Sequence, residues 1–179
     1  MLESLITSKT RIKLLLKFFL NSNTSAHLRG LESEFGESTN GIRVELNRFE
    51  NAGLLSAHSA GNRKIYAANI NHPLFIDIQH LVQKHLGIDQ LIEQVIERLG
   101  EVDKVYLTGA FAHGQESQTI EIMIVGGNVD ENYLEILIKK ATKLINRNIT
   151  YQLIATQPFE KLFASAGKEN MLLLWQHGN

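Results

Sequence analysis

"TNGIRVELNRFENAGLLSAHSAGNRKIYAAN", residues 39 to 69, changes its period midway, and that change organises the front of the chain. Up to Gly53 the apolar residues Ile42, Leu46 and Phe49 recur at helical spacing. Ser38 or Thr39 can cap this helix and Gly53 stops it. Two strand-like runs, 54–58 and 63–67, then flank "SAGN", whose Gly61-Asn62 pair suits a tight hairpin turn. Counting about 100° per residue from Ile42 places Asn40, Val44, Asn47 and Asn51 on the opposite face, flanked by Arg43 and Arg48. That face is rich in amides and short of acids. Arg and Asn can make bidentate hydrogen bonds to guanine and adenine edges, and a valine can meet a thymine methyl. The hairpin tip adds Asn62, Arg63 and Lys64 as a small basic projection.

Toward the N-terminus the helical signals repeat. "SKTRIKLLLKFFLN" (8–21) spaces Ile12, Leu15, Leu16 and Phe19 as a helix capped by Ser8 and ending near Asn21. "TSAHLRGLESEFGES" (24–38) places Leu28, Leu31 and Phe35 on one face, with Thr24 or Ser25 as the cap and Gly36 as the stop. A trihelical packing module without DNA could show the same apolar stripes. The amide-and-arginine face with a basic hairpin behind it favours a winged helix-turn-helix that binds DNA. On that reading Lys9, Arg29, Arg63 and Lys64 hold phosphates, Asn40, Arg43, Asn47 and Arg48 read bases, and Ser38, Thr39, Val44 and Asn62 complete the DNA-binding set.

Composition sets limits around this module. The 179 residues are 44% hydrophobic and 21% charged, as expected of an ordinary globular chain with one sizeable core or two small ones. There are no cysteines, which excludes disulfides, thiolate zinc sites and cysteine nucleophiles. The apolar run from Leu14 to Leu20 contains Lys17 and is far short of the roughly 18 residues of a membrane span, so neither an anchor nor a signal peptide is expected and the cytoplasm is the expected compartment. Residues 1–70 hold nine Lys/Arg against six acids, whereas residues 71–179 hold nine against thirteen. A basic front and an acidic back suggest two modules with different partners.

The segments "SKTRIKLLLKFFLN", "LRGLESEFG", "VELNRFENAGLLSAHSAGNRKIYAAN" and "NHPLF" together resemble the winged-helix domain of bacterial and archaeal ArsR-like transcriptional regulators, especially those fused to a nucleotidyltransferase-like domain. The resemblance covers roughly the first 75 residues and implies that the helix from Thr39 is the recognition helix. The cysteines used by arsenic-sensing sites of that family are absent.

From Pro73, "PLFIDIQHLVQKHLGIDQLIEQVIERLG" keeps helical spacing, with Gly87 ending or kinking a first segment and Asp89 capping a second. Leu74, Ile78, Leu81, Val82 and Leu86 must pack somewhere, either in a dimer seam or against the chain's own back domain. His80 and His85 lie five apart, unlike the four-residue spacing that puts two imidazoles on one face, and are expected as surface or dimer-contact residues. Behind them the chain reads as strand ("KVYLTG"), loop, strand ("TIEIMIVGG"), helix (130–146, capped by Asp130), strand ("NITYQLIAT"), short helix ("PFEKLFASAG") and strand ("MLLLW"). This is a small α/β or α+β domain.

"TGAFAHGQESQTIEIMIVGG" (108–127) resembles the signature loop of minimal nucleotidyltransferases of the DNA polymerase beta superfamily, in which a strand ends in Gly-Ser, a Gly follows, and the next strand carries Asp-x-Asp. The resemblance implies a phosphate-holding turn and paired carboxylates for two magnesium ions. Gly109 and Gly114 match. Ala110 replaces the serine, Thr119-Ile120-Glu121 replaces the two aspartates, and "NITYQLIAT" offers no third acid. His113 and Glu116 lie on the same loop as conceivable substitutes. Two-metal catalysis should therefore fail, leaving Gly109, Ala110, His113, Gly114, Thr119 and Glu121 as a degenerate nucleotide cleft.

The sequence thus sets out an α+β chain with a winged helix-turn-helix over 1–70, connector helices over 71–100 and a nucleotidyltransferase-like domain over 101–179. It is expected to be a regulator that binds double-stranded DNA as a homodimer, needs no metal or cofactor, and answers to an unknown small-molecule or protein effector. The alternatives are a magnesium-dependent nucleotidyltransferase and an antitoxin-like partner of a second protein.

Overall fold

A computed structural model describes residues 2–99, 101–159 and 171–178. The chain is α+β, with two sheets, and divides into two compact units. The first comprises residues up to 85 together with 114–116; the second comprises 86–113 and the described residues from 117 onward. The connector is split between them, with residues 71–85 in the first unit and 86–99 in the second.

The first unit opens with α1 (Leu2–Leu5) and α2 (Lys9–Leu15), which continues as a π-helical turn over Leu16–Leu20. Ser8 caps α2 by accepting the Arg11 N–H, as its sequence position suggests. Every residue from Leu14 to Leu20 is buried, Lys17 included, so this helix is the centre of the unit's core rather than an amphipathic surface helix. The Lys17 ammonium is held by Glu34 at 2.9 Å. In the widened final turn the Phe19 carbonyl accepts from the Gln79 amide at 3.2 Å, satisfying an acceptor near the helix end.

β1 (Ser25–His27) follows, then α3 (Leu28–Phe35) and α4 (Thr39–Asn51). β1 corrects the expected start of α3. Ser25 and Ala26 are committed to an antiparallel ladder, so neither Thr24 nor Ser25 caps the helix. The His27 imidazole does so instead, its Nδ1 accepting the Gly30 N–H at 3.0 Å. Gly36 ends α3 in the left-handed conformation, and Ser38 caps α4 through the Gly41 N–H. β2 (Leu55–Ala60) and β3 (Arg63–Ala68) form the hairpin, with Ala60 opposite Arg63 across the two-residue Gly61-Asn62 turn. Gly61 has a φ of 58°, which this tight turn requires and which a residue with a Cβ adopts at a cost. The strand order is β1-β3-β2.

α5 (Phe75–Leu86) packs the Phe75 ring against Phe19, 5.7 Å between centroids. His85 is half-buried, and its Nδ1 accepts the Leu2 N–H at 3.3 Å. His80 is exposed.

In the second unit, α6 (Ile88–Leu91), a π-helical turn (Ile92–Ile96) and α7 (Glu97–Leu99) run without a break. Left-handed Gly87, not Asp89, occupies the N-cap position, and no side chain caps this end. β4 (Val102–Thr108), α8 (Gly109–Ala112), β5 (Thr119–Gly126), α9 (Glu131–Ile145), β6 (Asn148–Ile154) and β7 (Leu172–Gln176) complete it. Gly109, expected to end the strand, and the first three residues of the expected loop form one short helical turn, α8. The sheet order is β6-β5-β4-β7, with β5 and β6 parallel and the remaining pairs antiparallel. A parallel pair needs a crossover, and α9 supplies it, capped by Asp130 through the Tyr133 N–H. Ile120, Ile122 and Ile124 alternate onto one buried face of β5, while Met123 joins Tyr106, Val125, Phe159, Ile154 and Met171 in a separate cluster. Most of the segment "PFEKLFASAG" lies outside the described residues.

Candidate nucleic-acid interface

α4 buries Ile42, Leu46 and Phe49 and exposes Asn40, Arg43, Val44, Asn47, Arg48 and Asn51, the division its spacing predicts. Its remaining acid on the inner side is Glu45, only 6% exposed. The Arg11 guanidinium grips this carboxylate through Nε at 3.0 Å and Nη2 at 3.1 Å, and Ser8 Oγ donates to it at 3.1 Å. Burial pushes the Glu45 pKa up, but these donors and the Arg11 and Arg48 charges outweigh it and hold the pKa below 4.5. The negative charge is therefore neutralised behind the helix, and the outward face keeps its basic character.

Part of that face meets the hairpin. Arg43 and Asn47 of α4, Asn62, Arg63 and Lys64 of the hairpin tip, Tyr66 of β3, and His27, Leu28 and Arg29 at the start of α3 line one groove of about 610 Å³. Sequence reasoning named Arg43, Asn47, Asn62, Arg63 and Lys64 as site residues and Arg29 as a phosphate contact. It missed His27 and Tyr66, which reach the groove because β1 lies antiparallel to β3. The period-two pattern that exposes a strand barely registers over three residues.

The other sequence-selected residues stand differently. Ser38 is spent on the α4 cap, and Thr39, Asn40 and Val44 lie outside the groove lining. Arg48 Nη1 turns back to Glu45 at 3.1 Å, so it must leave that carboxylate to reach a base. Lys64 is paired with Glu50 at 2.6 Å and lies over the Tyr66 ring. The Glu50 carboxylate holds the Lys64 pKa above its ordinary value. Any DNA phosphate taken by Lys64 must compete with Glu50. Accordingly, Glu50→Gln should tighten binding to any duplex about 2- to 5-fold, a range set by the modest strength of exposed pairs. Fluorescence anisotropy at constant salt checks this, and unchanged affinity would show that Lys64 does not bind phosphate.

In the second unit Gly109 follows β4 with a φ of 63°, and Glu121 lies on β5 opposite Thr108. The Glu121 carboxylate is packed so closely that a Cβ on residue 109 would lie 2.1 Å from its Oε1. His113 Nδ1 lies 2.8 Å from the Gly109 carbonyl, and Ala110 is the second residue of the single turn of α8. Gly114 and Glu116 group with the first unit, apart from Gly109, Ala110, His113, Thr119 and Glu121. Among the described residues no cluster of three or more His, Asp or Glu is placed to hold a metal ion.

No family model matches the chain, and no curated protein matches it. Among solved structures, reduced HlyU from Vibrio cholerae N16961 superposes with a TM-score of 0.37 and 13% identity over 46% of this chain and 82% of that one. No helix among the described residues is long and apolar enough to cross a membrane.

Proposed function

We propose that the chain is a sequence-specific, DNA-binding transcriptional regulator of the winged-helix type, working in the cytoplasm. The observation that carries this reading is the convergence of Arg29, Arg43, Arg63 and Lys64 with Asn47 and Asn62 on one groove between α4, the hairpin and the start of α3. Cations gathered there lower the free energy of a polyanion, and the amides and Arg43 add base-edge geometry that charge alone lacks. Lys and Arg set position, while Arg43 and Asn47 set sequence.

On this reading the second unit does no catalysis. The Glu121 carboxylate against Gly109, with alanine at 110 and threonine at 119, supports a retained but degenerate nucleotidyltransferase-like domain that senses an effector or assists assembly. Homodimerisation through α5 accords with the exposure of Leu74 and Ile76 and would match the protein to paired half-sites.

The test is binding of the purified protein to duplex from its own upstream region and to scrambled duplex across a salt series. Preferential binding that persists at physiological salt is expected, whereas sequence-blind binding that vanishes there would refute a regulator. Within the same assay, Arg43→Ala should cost about 1–3 kcal/mol on the preferred duplex and much less on scrambled duplex. Equal losses on both would reassign Arg43 to phosphate contact.

A further inference from the structure

We infer that His27 and Arg63 together clamp one phosphodiester oxygen of bound DNA, an assignment that rests on the DNA-binding reading above. His27 Nδ1 accepts the Gly30 N–H at 3.0 Å. A ring nitrogen that accepts carries no proton, so the neutral imidazole bears its hydrogen on Nε2. Arg63 Nη1 lies 3.4 Å from that Nε2. Guanidinium has no acceptor atom, so two N–H donors face each other. Such a pair is satisfied by one oxygen that accepts from both, and a charged phosphate oxygen with several lone pairs is the strongest such acceptor.

The fold fixes this geometry. His27 stands opposite Ile65 in the β1–β3 ladder, and Arg63, two residues along β3, shares that side of the sheet as its diagonal neighbour. Gly30 lets the ring lie close to the first turn of α3, since a Cβ there would sit 3.3 Å from His27 Cε1. The ring is thus locked by its capping bond and the ladder, while Arg29 and Arg43 border the same groove. His27 serves two purposes with its two nitrogens: one caps a helix and the other presents a donor.

A substitution can separate those purposes. Asparagine is a good N-cap but is too short to present a donor where Nε2 stands, so His27→Asn should keep α3 while losing the phosphate contact. With parent protein on upstream and scrambled duplexes, His27→Asn should weaken both about 10- to 100-fold, as for loss of a hydrogen bond to a charged group. Its melting temperature and its slope of log affinity against log salt should match those of the parent, because a neutral donor releases no counterion. Arg63→Ala should reduce that slope by about one. Duplexes with a single neutral methylphosphonate moved along the backbone supply a second readout. At one position the neutral linkage should weaken the parent clearly more than His27→Asn, which keeps only the Arg63 contact at that phosphate.

Equal affinity of His27→Asn and parent overturns the clamp, as does the same methylphosphonate loss in both proteins at every position. The methylphosphonate comparison decides even where the variant is less stable. Inorganic phosphate that displaces duplex from the parent but not from His27→Asn at low millimolar concentration would assign the pair to a free anion and overturn the DNA clamp. Failure of the parent to bind either duplex defeats the DNA reading itself and the clamp with it.

Discussion

Phe19→Ala should lower the unfolding free energy by about 3–5 kcal/mol, the range for removing a fully buried aromatic ring. Phe19 has no exposed surface and packs on Phe75, and both neighbours in the chain, Phe18 and Leu20, are equally buried. The surrounding residues belong to a π-helical turn whose carbonyl at Phe19 is tied to Gln79, which limits how far the backbone can collapse into the space. Urea unfolding followed by circular dichroism gives the measurement. A loss under about 1 kcal/mol would mean that the core relaxes around the missing ring and that the centre of the unit lies elsewhere.

Arg11→Ala should cost about 2–3 kcal/mol at neutral pH. Removing one partner of a fully buried ion pair costs about 3–5 kcal/mol, and the partial exposure of the Arg11 side chain, 35%, reduces that figure. Glu45 is left almost dry, with Ser8 and Arg48 as its remaining partners. The pH dependence has a definite sign. In the parent, the folded pKa of Glu45 lies below 4.5. Its contribution is complete above the unfolded value and is lost as pH falls through the folded one. In the variant the buried carboxyl protonates more readily, so the stability gap between parent and Arg11→Ala should narrow below about pH 4.5. Paired urea titrations at neutral and acidic pH check this. A gap that does not change with pH would show that Arg11 stabilises the fold by packing rather than by charge.

Much of the first unit was legible because its signals are local. The stripe Ile42, Leu46 and Phe49, the stop at Gly36 and the Gly61-Asn62 turn each depend on residues a few positions apart, and each stands where the spacing places it. The α9 helix and its Asp130 cap were equally readable. The caps at Thr24 or Ser25 and at Asp89 failed for one physical reason. A side chain suited to capping is used only if the chain around it is not committed elsewhere: Ser25 pairs with Ala67, and left-handed Gly87 takes the N-cap position ahead of Asp89.

Local sequence signals were enough to place the longer helices, the strands of the hairpin and its turn, and to show that α4 turns an amide-and-arginine face outward. Period and turn chemistry act over less than two helical turns, so they are written in neighbouring residues. Packing alone settled that every residue from 14 to 20 is buried, that Arg11 neutralises Glu45 from 34 positions away, and that His27 meets Arg63 in a groove 36 positions along the chain. It also turned Lys64 toward Glu50 and the Glu121 carboxylate against Gly109. These pairings arise because packing brings distant backbone segments within hydrogen-bond reach, and a charged side chain then takes the nearest partner that offsets its desolvation.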